Sequence, residues 1–201
     1  MIRKIGFCLV LIGQLFMIAA MCIVAYNIWD EVQTKDYTLT VAECVEEMID
    51  NAAEEAAEEI PAYVLNPEME MPEKEIDGCM YVGKLEIPAY ELNLPVISQW
   101  SYPKLRMAPC RYEGSAYLDN LIISAHNYNS HFGNLKNLQM GDLIVFTDMD
   151  GNVFEYRVAE RETLMPTAIE EMKSGDWDLT LFTCTLGGQY RVTVRCERIK
   201  E

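Results

Sequence analysis

Asp178-Leu179-Thr180-Leu181-Phe182-Thr183-Cys184-Thr185 is an apolar, β-branched run that ends in a cysteine. A run of this length and composition, with turn residues beyond it, reads as a strand. Gly187-Gly188 follow, suited to a reversing turn, and Arg191-Val192-Thr193-Val194-Arg195 then opens a second run. Alternation puts Thr180, Phe182 and Cys184 on one face of the first strand and Arg191, Thr193 and Arg195 on one face of the second. An antiparallel register with Cys184 opposite Arg191 sets thiol and guanidinium side by side, whereas a slip of one residue sends Arg191 to the other face. A third run, Leu121-Ile122-Ile123-Ser124-Ala125-His126, closes on a histidine. Cysteine, histidine and arginine at the ends of three strands supply a thiol nucleophile, its proton partner and a cation for a developing oxyanion.

Each of these residues has a plainer reading. A free cysteine is more often a small buried hydrophobe than a nucleophile. A histidine at the end of an apolar strand is more often structural. The chain has two histidines, and the second, His131, lies in the turn-like Asn129-Ser130-His131-Phe132-Gly133. Arg195 shares a face with Arg191 but lies roughly 13 Å further along an extended strand, where pairing with an acid is expected.

The segment Thr180 to Cys184 matches a Thr-Leu-x-Thr-Cys core at every fixed position. With Ala125-His126-Asn127 and Tyr190-Arg191-Val192-Thr193-Val194-Arg195 it resembles the sortases, membrane-anchored cysteine transpeptidases of Gram-positive bacteria. The resemblance extends from about Met80 to the C-terminus and leans toward the class B or D neighbourhood. It implies a mainly β fold, an eight-stranded β-barrel with short helices. It implies catalytic roles for Cys184, His126 and Arg191, with substrate contacts from Ser124, Phe182 and Thr183. The implied reaction cuts a C-terminal sorting motif, Leu-Pro-x-Thr-Gly-like, in a secreted protein through a thioester. The acyl group then passes to an amine of a peptidoglycan precursor or a pilin. Other readings are a hydrolytic cysteine peptidase on the same fold and a non-catalytic, membrane-tethered assembly scaffold. The His-Gly-x-x-x-x-Cys signature of another wall-building thiol family, the L,D-transpeptidases, is absent.

From Met80 onward the chain itself reads as short strands with turns between them. They are Tyr81–Ile87, Leu94–Ile97, Leu121–His126, Leu143–Thr147, Val153–Glu160, Leu179–Cys184 and Tyr190–Ile199, with another between Arg111 and Tyr117. Single helical turns are expected at Asn134–Leu138 and Thr167–Met172. Many short strands with little helix point to a closed or nearly closed antiparallel barrel.

The formal charge is −16, and 16 of the 32 acidic residues fall between positions 30 and 80 against only Lys35 and Lys74. The acidity thus belongs to a connecting segment. No concentrated basic face exists, which excludes nucleic acid as the expected partner. Before this segment, Arg3 and Lys4 precede the uncharged run from Ile5 to Tyr26. At about 1.5 Å per residue that run reaches about 33 Å, enough to cross a bilayer core. It is longer than the apolar region of a cleaved signal, and Ala19-Ala20-Met21-Cys22 is a poor cleavage site. Basic residues before it and acids after it place the N-terminus in the cytoplasm and the remainder outside.

Three regions follow: an anchor over 1–29, an acidic helical stalk and Pro-containing linker over 30–79, and the barrel over 80–201. In the stalk, Val41, Cys44, Val45, Met48, Ile49, Ala52, Ala53 and Ala56 recur at helical spacing from Thr40, and Pro61 stops the helix. The expectation is a solvated helix holding the domain off the membrane. Pro61, Pro67 and Pro72 among glutamates read as an extended linker.

Cys8 and Cys22 lie in the span, and Cys44, Cys79, Cys110, Cys184 and Cys196 outside it. An odd number outside leaves at least one free thiol. Asp148-Met149-Asp150-Gly151-Asn152 lacks the length and closing glutamate of a calcium loop and reads as a hairpin turn. No cysteine–histidine set has zinc spacing, and no Gly-rich loop joins a strand to a helix, so no metal or other cofactor is expected.

Overall fold

The computed structural model describes residues 2–56 and 60–200. The chain divides into two compact units, residues 1–36 and 37–201. Helix α1 spans Ile2–Ala56. In the first unit its side chains from Leu9 to Trp29 are exposed all round. Apolar on every side and covered by nothing, this part of the helix is long and apolar enough to cross a membrane.

The second unit is built from β1 (Lys74–Ile76), β2 (Cys79–Ile87), β3 (Leu92–Ile97), β4 (Cys110–Glu113), β5 (Leu121–Ser124), β6 (Leu143–Asp148), β7 (Val153–Leu164), β8 (Leu179–Cys184) and β9 (Arg191–Arg198). Neighbours run β2-β3-β4-β5-β8-β9-β7-β6, and β6 pairs back onto β2 to close an eight-stranded barrel. Strand β1 adds to β2 outside this ring. At the closure Gly83 has φ +150°, and a Cβ there would lie 2.0 Å from the Thr147 carbonyl oxygen. Only glycine lets the two backbones meet. Short helices α2 (Ala62–Leu65), α3 (Tyr102–Leu105) and α4 (Ile169–Lys173) decorate the connections.

The barrel is mixed rather than antiparallel: β3–β4 and β5–β8 are parallel pairs. The antiparallel expectation follows from tight hairpins. It fails where a long connection intervenes, as β6 and β7 do between β5 and β8. Alternate residues fill the interior, among them Leu85, Val96, Ile123, Phe146, Phe154, Tyr156, Leu181 and Val194, each fully buried.

A second apolar cluster joins α1 to the barrel's outside. Val41, Val45 and Ile49 of the helix are buried against Ile76, Tyr81, Ile97, Ala108, Cys110 and Met149. Lys84 reaches Glu46 at 2.9 Å. The spacing that made residues 40–56 amphipathic therefore serves packing. From Tyr37 this helix is part of the barrel's unit and not a solvated stalk, because three branched side chains on one stripe find a matching apolar patch.

The linker is likewise held down. Tyr63 stacks on Tyr117 with ring centroids 4.6 Å apart, Met71 enters the barrel core, and Glu73 pairs with Arg111 at 3.2 Å.

Candidate active site

Strands β8 and β9 pair antiparallel with Leu179 opposite Cys196, Phe182 opposite Thr193 and Cys184 opposite Arg191. Of the two registers open to the hairpin, this is the one that sets thiol and guanidinium side by side. Leu179, Leu181, Val194 and Cys196 point into the core. Phe182, Cys184 and Arg191 lie on the opposite, outer face and are half-buried. The candidate site is thus on the barrel wall, at the edge where β8 ends.

Strand β5 runs parallel to β8 with Ser124 beside Phe182. The pairing continues past the strand end. The Ala125 N–H donates to the Phe182 carbonyl at 3.2 Å, and the Thr183 hydroxyl donates to the Ala125 carbonyl at 2.8 Å. His126 is two residues beyond Ser124, as Cys184 is two beyond Phe182. Adjacent strands lie about 4.8 Å apart, so both residues leave the sheet at one edge. The His126 ring is half-buried and stacks on Tyr128 at 4.6 Å.

The two arginines diverge. Arg191 donates through Nη1 to the carbonyls of Gly188 and Tyr190, at 3.1 and 3.3 Å, and lines a cleft. Arg195 is 2% exposed. It donates to Glu162 at 2.7 Å, to the carbonyls of Met172 and Glu171 at 2.7 Å each, and to Thr180 at 3.0 Å. It fastens the β7–β8 connection, including α4, to the barrel.

The cleft is about 240 Å³ and is lined by Trp100, Tyr112, Met165, Ile169, Phe182 and Arg191, among others. Tyr112 meets Trp100 and Phe182 edge-on, at 5.8 and 5.3 Å. Trp100 and Tyr112 also border a larger cavity of about 600 Å³ that includes Glu68, Met69 and Arg111. Of the three residues expected to touch substrate, Phe182 lines the cleft. Ser124 is 1% exposed and Thr183 is 2% exposed with its hydroxyl bonded to Ala125. Thr183 faces inward, whereas Ser124 shares the outer face with Phe182 but is covered there, and neither lines the cleft. The aromatic wall of Trp100 and Tyr112 was not foreseen. Trp100 lies in the β3–β4 connection and Tyr112 on β4 itself, and their only sequence signal is an aromatic-rich stretch around Trp100-Ser101-Tyr102.

Cys22, Cys44, Cys79, Cys110, Cys184 and Cys196 are all free thiols. Burial pushes the Cys110 thiol up to about 12 and raises Cys196 as well, so both stay protonated. His131 is fully buried, and burial, helped by the nearby His126, pushes it down to about 4. It is a neutral interior group, which leaves His126 as the histidine at the site's surface. No group of three or more metal-ligating side chains occurs among the described residues.

A closed mixed barrel with cysteine, histidine and arginine gathered on one outer edge defines a class of thiol-bearing β-barrels. A sortase-domain family model matches residues 85–199, more than half of the chain, and the chain belongs to the sortase family. Among solved structures, sortase C1 of Streptococcus suis is 27% identical, with a TM-score of 0.52, over 60% of this chain and 74% of that one. Sortase C of Streptococcus pneumoniae, a structure concerned with catalysis and pilin substrate specificity, is 25% identical, with a TM-score of 0.54, over 78% and 89% of the two chains. A lid mutant of sortase A from Corynebacterium diphtheriae shares the fold at 18% identity, with a TM-score of 0.53, over 82% and 96%. These relatives carry class C and class A labels and do not select class B or D. No curated protein matches the sequence significantly.

Proposed function

We propose that the protein is a membrane-anchored cysteine transpeptidase in which Cys184 is the nucleophile, His126 the proton carrier and Arg191 the oxyanion partner. The observation that carries this reading is the shared edge. Cys184 is paired with Arg191 across one hairpin, and His126 leaves the neighbouring parallel strand at the same level. The Cys184 thiolate attacks a backbone carbonyl of a sorting motif lying in the aromatic cleft. The carbonyl oxygen becomes an oxyanion beside Arg191, whose planar cation suits it. On collapse the C–N bond breaks, the leaving amine takes a proton from His126, and a thioester remains on Cys184. An incoming amine loses a proton to His126, attacks the thioester and restores the thiolate. The net reaction exchanges one amide for another.

The substrates are secreted proteins with a C-terminal, Leu-Pro-x-Thr-Gly-like signal. The acceptor is an amine of a peptidoglycan precursor or of a pilin, the latter supported by the likeness to the pilin-directed Streptococcus pneumoniae enzyme. The apolar helix would anchor the chain with its N-terminus in the cytoplasm and the barrel outside, since Arg3 and Lys4 precede it and acids follow.

The full chain in detergent, incubated with a fluorogenic sorting-motif peptide, should form a thioester on Cys184 visible by mass spectrometry. Cys184→Ala should abolish cleavage and transfer while leaving the circular dichroism unchanged. An adduct on Cys44 or Cys79 would refute the assignment. Product release that ignores added amine would mark a hydrolase in place of a transferase.

A further inference from the structure

The residues from His126 to Gly133 form a closed loop. The Phe132 N–H donates to the His126 carbonyl at 3.2 Å, and the His131 and Gly133 N–H groups donate to the Tyr128 carbonyl at 3.0 and 2.8 Å. Gly133 sits so tightly on this carbonyl that a Cβ would fall 2.8 Å from its oxygen. Tyr128 lies between the two imidazoles, 4.6 Å from His126 and 5.7 Å from His131, centroid to centroid. His126 therefore takes its place from a loop whose interior support is His131.

His131 is in turn held by the N-terminal helix. Its Nε2 is 3.0 Å from the Thr38 hydroxyl, and that hydroxyl donates to the Met107 carbonyl at 2.9 Å. A hydroxyl has one proton to give. With that proton on Met107, Nε2–H of His131 must donate to Thr38, which selects one tautomer of the ring. Thr38 is 2% exposed and His131 fully buried, so water does not compete for this bond. The contact joins residues 93 positions apart.

We propose that Thr38 and His131 are positioning residues for His126. The helix outside the barrel fixes the loop that carries the proton-transferring imidazole, through the order Thr38, His131, Tyr128, His126. The inference rests on the role given to His126 above. Neither Thr38 nor His131 reaches the cleft, so their effect falls on the turnover step and not on peptide binding.

The test uses the full chain in detergent. Thr38→Val keeps the side-chain shape and removes the hydroxyl, Thr38→Ser keeps the hydroxyl, and Tyr37→Phe removes only the neighbouring hydroxyl, which lies 3.3 Å from that of Tyr81. Steady-state kinetics with a sorting-motif peptide should show kcat for Thr38→Val lowered about tenfold with KM held, since one such bond is worth up to about a factor of ten. Thr38→Ser and Tyr37→Phe should retain wild-type kcat. A second readout needs no turnover. The chain has only two histidines, so carbon-13 histidine labelling gives two ring signals, and both should move or broaden in Thr38→Val but stay put in Tyr37→Phe.

Wild-type kcat in Thr38→Val overturns the proposal. So does an equal loss in Tyr37→Phe, which would show general loosening of the helix, and so does a His126 signal unmoved by Thr38→Val. Absence of thioester and turnover in the wild-type chain would instead overturn the assigned function, and the ring signals alone would then decide whether Thr38 places the loop.

Discussion

At the scale of single residues, Arg191 and Arg195 look alike in the sequence and are opposites in the structure. Arg191 makes two bonds to its own turn and has donors left over, on the cleft. Arg195 is buried and tied to four partners. Arg191→Ala should therefore lower kcat by about 10²–10³, the usual loss for one oxyanion donor, with the melting temperature unchanged. Arg191→Lys should not restore it fully, because a point charge does not reproduce the planar fork. Arg195→Ala should lower the melting temperature and raise KM, because the β7–β8 connection that walls the cleft comes loose. Parallel kinetics and thermal melts of the three variants distinguish these outcomes, and a crippled but fully stable Arg195→Ala would reverse the roles. His131 carries a second residue-scale consequence. In the unfolded chain its imidazole binds a proton near pH 6.5, and in the folded chain only near 4. Between those values the unfolded state holds more protons, so stability is complete above pH 6.5 and falls as the pH drops toward 4. The loss should be about 3 kcal/mol. Urea melts from pH 7 to 4 should show it in the wild type and much less in His131→Gln, and equal slopes in the two would contradict it.

At the scale of strands, the two pairings that build the site differed in how far they could be read beforehand. The β8–β9 hairpin was legible. Alternation fixed the faces within each strand, and a short Gly-Gly turn allowed the register that occurs, with Cys184 opposite Arg191. The same alternation already put Thr183 on the inner face, opposite to Phe182, so its absence from the cleft obeys a rule the strand itself states. The β5–β8 pairing was not legible, because parallel neighbours separated by two other strands leave no mark on either strand's pattern. Nor was the aromatic wall, which forms only when Trp100 of the β3–β4 connection and Tyr112 of β4 meet Phe182 of β8. The Thr183 hydroxyl bond to Ala125 is the strap across that parallel pair just before Cys184 and His126 diverge. Thr183→Val keeps the shape and leaves a buried carbonyl with one bond fewer. It should cost about 1 kcal/mol of stability and lower kcat more than KM, with Thr183→Ser restoring both. A Thr183→Val enzyme that loses stability but keeps kcat would show that the strap serves the fold alone.

For the molecule as a whole, the decisive question is where the folded unit begins. The sequence divides naturally near Met80, where acidic, Pro-containing chain gives way to strands. The packing divides at Tyr37. A helix rich in glutamate looks solvated when its charges are counted, yet the stripe of Val41, Val45 and Ile49 decides its position, since all three are at most 3% exposed. Burying such side chains is worth about 1.5–3 kcal/mol each, so together they contribute about 5 kcal/mol or more. That is comparable with the whole stability of an ordinary domain, about 5–15 kcal/mol. Removing residues 37–79 would also uncover Ile97, Ala108 and Cys110 and take away Met71 and Ile76. A fragment of residues 37–201 should therefore fold as a monomer with a cooperative thermal transition. A fragment of residues 80–201 should aggregate or melt without one, although it holds every strand of the barrel beyond Cys79. Within the longer fragment, Val45→Asp should reproduce much of that defect, because it puts a charge into a dry apolar contact. Size-exclusion chromatography and thermal melts of the three proteins provide the comparison. Equal melting temperatures for the two fragments would mean that the helix merely rests on a barrel already complete without it.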